Sequence, residues 1–206
     1  MRIETKNLTY TYQDKTILQD TTLTLPNKGV TVITGPNGVG KTTLAELLAH
    51  QRKPNSGTVH TPKHTVLLTQ HFTVPNDAPI TAGEYLEATQ TDTEKIGIEP
   101  PLTKQLRDMS GGQLQRLRVA EAIRQHPDLL ILDEPIANID KEAANTIQNA
   151  IQTHREHTPT IIITHNINFI TEIADHTYCF HKDHIHRIQP GDTEHLIKSI
   201  YPDIPL

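Results

Sequence analysis

The sequence predicts an α/β fold: a mixed, mainly parallel core sheet, an N-terminal antiparallel β subdomain and a short helical insertion. Three observations carry this reading. A β-branched run, Val30–Thr34, enters a glycine turn, and a helix-forming run, Leu44–His50, leaves it. Two more short apolar runs, Leu129–Leu132 and Ile161–Ile163, have the unbroken apolar character of strands buried on both faces. Near the N-terminus, Leu8, Tyr10 and Tyr12 alternate with Thr9 and Thr11, the period of two of a half-buried strand.

The chain has 206 residues, the length of one domain over 1–206, with 71–109 as a helical subdomain inside it. The apolar fraction of 35% suffices for an α/β core. No apolar run approaches the ~18–20 residues that cross a bilayer. Met1-Arg2-Ile3-Glu4 lacks the apolar stretch of a signal peptide. Cys179 is the single cysteine, so no internal disulfide forms. The expectation is a soluble, cytosolic protein. A net charge of −5 argues against a general polyanion binder, so no nucleic-acid partner is expected.

Residues 2–25 read as two strands joined at Gln13-Asp14-Lys15, with Ile17, Leu23 and Leu25 on the return strand. Tyr12 ends the first strand, where an aromatic can stack on a nucleobase or simply complete the strand. The turn Gly35-Pro36-Asn37-Gly38-Val39-Gly40-Lys41-Thr42-Thr43 fits G-x-x-x-x-G-K-[ST], a phosphate-binding loop. Its glycines let backbone N–H groups point inward. The helix opening at Gly40 adds a positive dipole end. Lys41 supplies a charge for the β/γ-phosphates, and the Thr42 hydroxyl can ligate Mg²⁺.

Pro54-Asn55-Ser56-Gly57 reads as a turn and Thr65–Thr69 as a strand, with Gln70 at its carboxyl end. Ligands of open α/β sheets bind at such ends, which places Gln70 to reach a γ-phosphate or its metal. Pro75, Pro79, Pro100 and Pro101 interrupt residues 71–109, where Ile80–Thr89 and Leu102–Arg107 read as helical.

Met109-Ser110-Gly111-Gly112-Gln113 opens a helix running through His126, with Leu114, Leu117, Ala120 and Ile123 on one face. Ser110 is a good N-cap. Ser-Gly-Gly-Gln at a helix start also makes a second anion cradle. One phosphate chain already has its cradle at Gly35–Thr42, so the second implies a site completed by another molecule.

Asp128–Glu134 is a buried strand ending in two carboxylates before Pro135. Asp133 suits a Mg²⁺ ligand, and Glu134 can polarise a water for attack on the γ-phosphate. Asp140 caps a helix over Lys141–Glu156. His165 follows the strand Thr160–Thr164 and can hydrogen-bond a γ-phosphate. Thr177–His181 and His184–Ile188 form a hairpin about Lys182-Asp183, and a helix over Thr193–Ile200 closes the chain before Pro202 and Pro205.

The order Tyr12, phosphate loop, Gln70, Ser-Gly-Gly-Gln, Asp-Glu, Asp140, His165 resembles the ATP-binding cassette (ABC) ATPases over nearly the whole chain. The resemblance implies a P-loop NTPase of the ABC type, with ATP and Mg²⁺ as cofactors. By position, Tyr12 resembles the adenine-stacking aromatic and Gly35–Thr43 the Walker A loop. Gln70 resembles the Q-loop glutamine, which in the family contacts Mg²⁺ and senses the membrane partner. Met109–Gln113 resembles the family signature, with Met109 where leucine is usual. Asp133 and Glu134 match the Walker B aspartate and catalytic glutamate. Asp140 matches the D-loop aspartate and His165 the switch histidine; Asn166 stands where aspartate is common.

The family mechanism implies two cassettes packed head to tail as a homodimer, each ATP held by one chain's Walker A loop and the other's Ser110–Gln113. It also implies an integral membrane permease docked on 71–109, a cytoplasmic, membrane-peripheral location, and a substrate-binding protein if the transporter imports. Segments 78–86 and 174–181 are similar to the zinc and manganese uptake ATPases. Cys179, His181, His184 and His186, on the two hairpin arms, are either exposed hairpin side chains or, if their faces coincide, a candidate zinc site. The alternatives are a soluble ABC ATPase serving translation or DNA repair, another P-loop enzyme such as a small-molecule kinase, and a nucleotide-binding module without turnover. A single phosphate loop, the absence of heptads and the acidic balance weigh against the first. Ser110–Gln113 has no role in the second, and Glu134 argues against the third.

Overall fold

A computed structural model describes residues 2–70, 79–91, 93–181 and 184–201. The strands are β1 (Ile3–Tyr12), β2 (Lys15–Leu25), β3 (Val30–Thr34), β4 (Ser56–His60), β5 (Thr65–Leu68), β6 (Leu129–Asp133), β7 (Thr160–Ile163), β8 (His176–His181) and β9 (His184–Ile188). The helices are α1 (Lys41–Leu48), α2 (Ala82–Ala88), α3 (Thr93–Ile96), α4 (Gly111–Arg124), α5 (Lys141–His154), α6 (Ile167–Ile173) and α7 (Thr193–Ile200). They form a three-stranded antiparallel sheet, β2-β1-β4, and a six-stranded sheet, β5-β6-β7-β3-β8-β9. The larger sheet is parallel from β5 through β8, and β9 pairs antiparallel at its edge.

Every residue of β3, β6 and β7 is buried. Alternate side chains on such strands serve opposite faces. Val30, Val32, Leu130, Leu132 and Ile162 pack with α4, α5 and α6 through Val119, Ile123, Ile147, Ile151 and Phe169. Ile33, Leu129, Ile131, Ile161 and Ile163 face the other way, onto Leu44, Leu47 and Leu48 of α1 and Leu8 and Leu18 of the small sheet. Each such side chain contributes roughly 1.5–3 kcal/mol on burial. The two layers therefore clamp the sheet and hold its strand ends, where charged residues follow, in register.

Several expectations needed correction. Ser56 and Gly57, read as part of a turn, begin β4, and Ser56 pairs with Thr9 of β1. The small-polar composition hid a strand whose glycine is required by close approach. Gly57 has φ +83, and a Cβ there would lie 2.3 Å from the Asn7 carbonyl. Asn7 itself (φ 48) faces Asp20 (φ 46) across a break in register, joined by Asn7 Nδ2 to Asp20 Oδ1 at 2.7 Å. Further shifts in register between Leu8 and Tyr10 and between Tyr10 and Thr11 interrupt the alternation read for β1. Gln13 and Asp14 alone make the β1–β2 turn, both with positive φ, and Lys15 belongs to β2.

Residues 102–107 are not a helix: Gln105 bridges to Thr81, and only Leu106–Asp108 form a single 3₁₀ turn. α3 had no expected counterpart. α4 stops at Arg124 and α5 at His154, short of the expected His126 and Glu156; Leu114 on α4 is only half-buried. α7 spans the expected residues. The expected hairpin turn Lys182-Asp183, the prolines at 75, 202 and 205, and the first part of the insertion, 71–78, lie outside the described residues. Among the described residues no helix is long and apolar enough to cross a membrane.

Candidate functional site

A cavity of about 430 Å³ opens at the carboxyl ends of β3, β5, β6 and β7. Asn37, Gly38, Gly40, Lys41, Thr42, Thr43, Gln70, Asp133, Glu134 and His165 line it, together with Ile17 and Ile163. The turn from β3 into α1 is shaped by close packing. A Cβ on Gly35 (φ +138) would stand 2.1 Å from the Phe180 carbonyl of β8, so only glycine fits. Gly40 (φ 110) occupies the N-cap of α1 and gives no side-chain cap, so the helix start meets the cavity with its own N–H groups.

Lys41 is 8% exposed, and its Nζ donates to the carbonyls of Gly35 (2.8 Å) and Pro36 (2.9 Å). Burial lowers its pKa, while the nearby Glu134 and Asp133 charges oppose that shift. Thr42 Oγ1 donates to Asp133 Oδ2 at 2.7 Å. Asp133, at the end of β6, is 2% exposed. Burial pushes its carboxyl pKa up, and the Thr42 bond pulls against that.

Glu134 leaves β6 with φ 49, in the left-handed region that side chains rarely adopt. Its N–H donates to the Ile163 carbonyl at 2.8 Å. Its carboxylate accepts from Thr164 Oγ1 at 3.0 Å on one oxygen; His165 Nδ1 lies 2.6 Å from the other. Glu134 is thus turned off the strand direction and held by two residues from the end of β7. Thr42 and Asp133 together present hard oxygen atoms side by side, the donor chemistry that Mg²⁺ takes.

The remaining candidates stand elsewhere. Tyr12 is half-exposed and does not line the cavity; the Arg52 guanidinium lies 5.8 Å from its ring centre and 5.7 Å from that of Tyr10. Pro36 and Val39 belong to the loop without lining the cavity. Ser110 caps α4: its Oγ accepts from the Gln113 N–H at 3.3 Å, and Gln113 Oε1 accepts from the Ser110 N–H at 3.0 Å. Lys104 Nζ donates to the same Gln113 oxygen at 3.1 Å. Asp140 Oδ1 accepts from the Ala143 N–H at 2.8 Å, the N-cap bond expected for α5. Gly112 packs against this cap; a Cβ there would lie 2.9 Å from Ala143 Cβ and 3.2 Å from Asp140 Oδ2. Ser110, Gly111, Gly112, Gln113 and Asp140 therefore form one cluster, and none of them lines the Lys41 cavity.

Asn166 caps α6 by accepting from the Phe169 N–H at 3.0 Å, a task asparagine and aspartate perform alike.

The Cys179 set is corrected. Cys179 pairs with His186 and His181 with His184, so the four do share a face. Yet α7 covers Cys179, which is buried with its thiol toward the Ser199 carbonyl at 3.9 Å. Burial pushes that thiol pKa up. Among the described residues no three His, Cys, Asp or Glu side chains are placed to hold a metal together.

Sequence reading missed Ile17, Ile163 and Thr164 as parts of the site, because no local motif marks an apolar wall or a hydroxyl that reaches back one strand. It also missed Arg118, a buried cation on α4 whose Nη2 donates to the Thr69 carbonyl at 2.8 Å, immediately before Gln70.

Residues 18–137 match the family model described as "ABC transporter". The chain is 30% identical over 189 residues to the zinc import ATP-binding protein ZnuC of Halorhodospira halophila, covering 86% of this chain and 73% of that one. It is 29% identical over 225 residues to a probable metal transport system ATP-binding protein of Thermotoga maritima, covering 99% and 92%. Among solved structures, an inward-facing metal-chelate type ABC transporter, described as putative, superposes with TM-score 0.81 at 20% identity, covering 98% of this chain and 88% of that one. A second, the ATP binding subunit of an ABC transporter, gives 0.76 at 17% identity, covering 93% and 91%.

Proposed function

The chain belongs to the ABC transporter family and is an ATPase, and we propose that it is the energy-coupling subunit of an importer whose cargo is a divalent metal ion. The observation that carries the hydrolytic half is the convergence of Lys41, Thr42, Asp133, Glu134 and His165 on one cavity at the ends of parallel strands. The metal cargo rests on the likeness to zinc-import and metal-transport ATP-binding proteins.

In this reading the N–H groups of 37–43 and the Lys41 ammonium hold the β- and γ-phosphates of ATP. Thr42, Asp133 and Gln70 would hold Mg²⁺, which would supply positive charge to the phosphates. Glu134 takes a proton from the attacking water as its oxygen bonds to the γ-phosphorus and the bond to ADP breaks. His165 and Thr164 hold the Glu134 carboxylate in place. Tyr12, exposed at the end of β1, offers its ring to the adenine.

The second half of each pocket comes from another copy. Ser110–Gln113 lie apart from the chain's own Lys41 cavity, which supports a head-to-tail homodimer with Asp140 at its seam. The permease docks on the insertion, where Ile80 and Leu102 are large, apolar and exposed. That contact keeps the chain peripheral on the cytoplasmic face of the membrane, with a substrate-binding protein serving the far side. The test is zinc uptake by cells carrying this chain and its cognate permease. Uptake should vanish with Lys41→Ala and with Glu134→Gln; uptake that persists in both variants contradicts the reading.

A further inference from the structure

The C-terminal hairpin and last helix carry imidazoles that the nucleotide cavity does not use. β8 and β9 set His181 opposite His184, and Cys179 opposite His186. α7 packs across this region through Leu196 and Ile200, in the same apolar cluster as Cys179 and Ile188. It adds His195 to the series. The ring centroids are 6.0 Å apart for His181 and His184, 5.6 Å for His184 and His186, and 5.2 Å for His186 and His195, the last two pairs stacked.

The end of this ladder has the geometry of a ligand pair. Nε2 of His186 and Nε2 of His195 are 3.2 Å apart. Two nitrogens bound to one tetrahedral zinc at ~2.0–2.1 Å are themselves about 3.3–3.4 Å apart. Asp192 lies behind His195, with Oδ2 3.5 Å from His195 Nδ1. That is just beyond a good hydrogen bond; drawn onto Nδ1, the carboxylate would favour the tautomer that leaves the Nε2 lone pair free, as behind metal-bound histidines. The same Asp192 is fixed by capping α7 through the His195 N–H at 3.0 Å. His195 is 47% exposed, so a solvated ion can reach it.

We propose that His186 and His195 form a two-imidazole site for a divalent transition-metal ion of borderline softness, zinc foremost, that pins α7 to the hairpin. No third side chain already converges there. Water fills the remaining positions, and His184, stacked on His186, is the next imidazole within reach. Imidazole ligation selects zinc, copper or nickel over magnesium and calcium. None of these histidines lines the Lys41 cavity, so the site is separate from the nucleotide cavity.

Zinc binding to the full chain, measured by equilibrium dialysis in millimolar Mg²⁺, tests the site. One zinc per chain is expected. His186→Gln and His195→Gln should each weaken it at least about tenfold, and His64→Gln, an exposed histidine elsewhere, should not. Circular dichroism without metal checks that each variant folds. Independently of any variant, X-ray absorption at the zinc edge of the wild-type chain should show two imidazole nitrogens, with oxygen completing the shell. Zinc bound equally well by both variants, no stoichiometric zinc, or sulfur in the zinc shell would overturn the assignment.

Discussion

The chain starts two helices with glycine-rich turns, and the two starts are finished differently. α1 begins after Gly40 with no side-chain cap and no acidic residue in its first turn. Its N–H groups and the Lys41 ammonium face a cavity that also holds Asp133, Glu134 and His165. α4 begins after Ser110 with a complete capping box, and Gly112 is wedged against the Asp140 cap of α5. The first start leaves donors for a ligand, since an uncapped helix end needs partners from outside itself. The second is structurally satisfied within its own chain. A role for Ser110–Gln113 toward ATP must therefore be detected against a real structural background, and experiments have to separate the two.

The largest expected effect falls on the first region. Glu134→Gln keeps the size and an acceptor for Thr164 but removes the base. Turnover should drop about 10²–10⁴-fold with ATP binding retained, read by steady-state phosphate release and nucleotide titration. Loss of binding along with turnover would mean that Glu134 shapes the pocket and does not act as base.

The next effect separates cap from ligand in the second region. Aspartate caps helices about as well as serine, so Ser110→Asp should leave the melting temperature close to wild type. It places a carboxylate where the partner chain's γ-phosphate would lie. Turnover should fall at least about tenfold, a barrier increase of ~1.4 kcal/mol. Unchanged turnover would reduce Ser110 to a cap alone.

A third variant asks what the first region costs in stability. Asp133 has a pKa raised chiefly by burial. A carboxyl whose folded value is raised contributes stability below its ordinary value of 3.8 that is lost as pH rises through the folded value. Asp133→Asn can still accept from Thr42 and carries no charge. Its melting temperature should therefore exceed wild type at pH 7, and the gap should close as pH falls through that window. ATPase activity should be lost throughout.

The smallest effect is local: Asp140→Ala removes the α5 N-cap and should cost ~1 kcal/mol in denaturant unfolding. A larger loss would mean that the Gly112–Asp140 contact, and not the cap, holds the cluster.

The first region was legible because its chemistry is local. Strand, glycine turn and helix follow one another in 30–48, and Asp133-Glu134 close an apolar run. Their meeting in one cavity follows from parallel strands that all end on the same side. The walls were not legible. Ile17 and Ile163 look like any strand residues, and Thr164 reaches Glu134 only through the pairing of β6 with β7. β4 was hidden because Ser56-Gly57 have turn composition, while the bulge at Asn7 is what demands that glycine. The hairpin histidines were visible, but the helix that buries Cys179 and brings His195 to His186 acts over a distance no spacing rule covers.

In the proposed function each catalytic pocket is assembled from two chains. ATPase rate per chain, measured against protein concentration, tests it most directly. The rate should fall toward zero as the chain is diluted, and recover when a Glu134→Gln chain with intact Ser110–Gln113 is added in excess. A rate per chain that stays constant on dilution and ignores the added partner would contradict it.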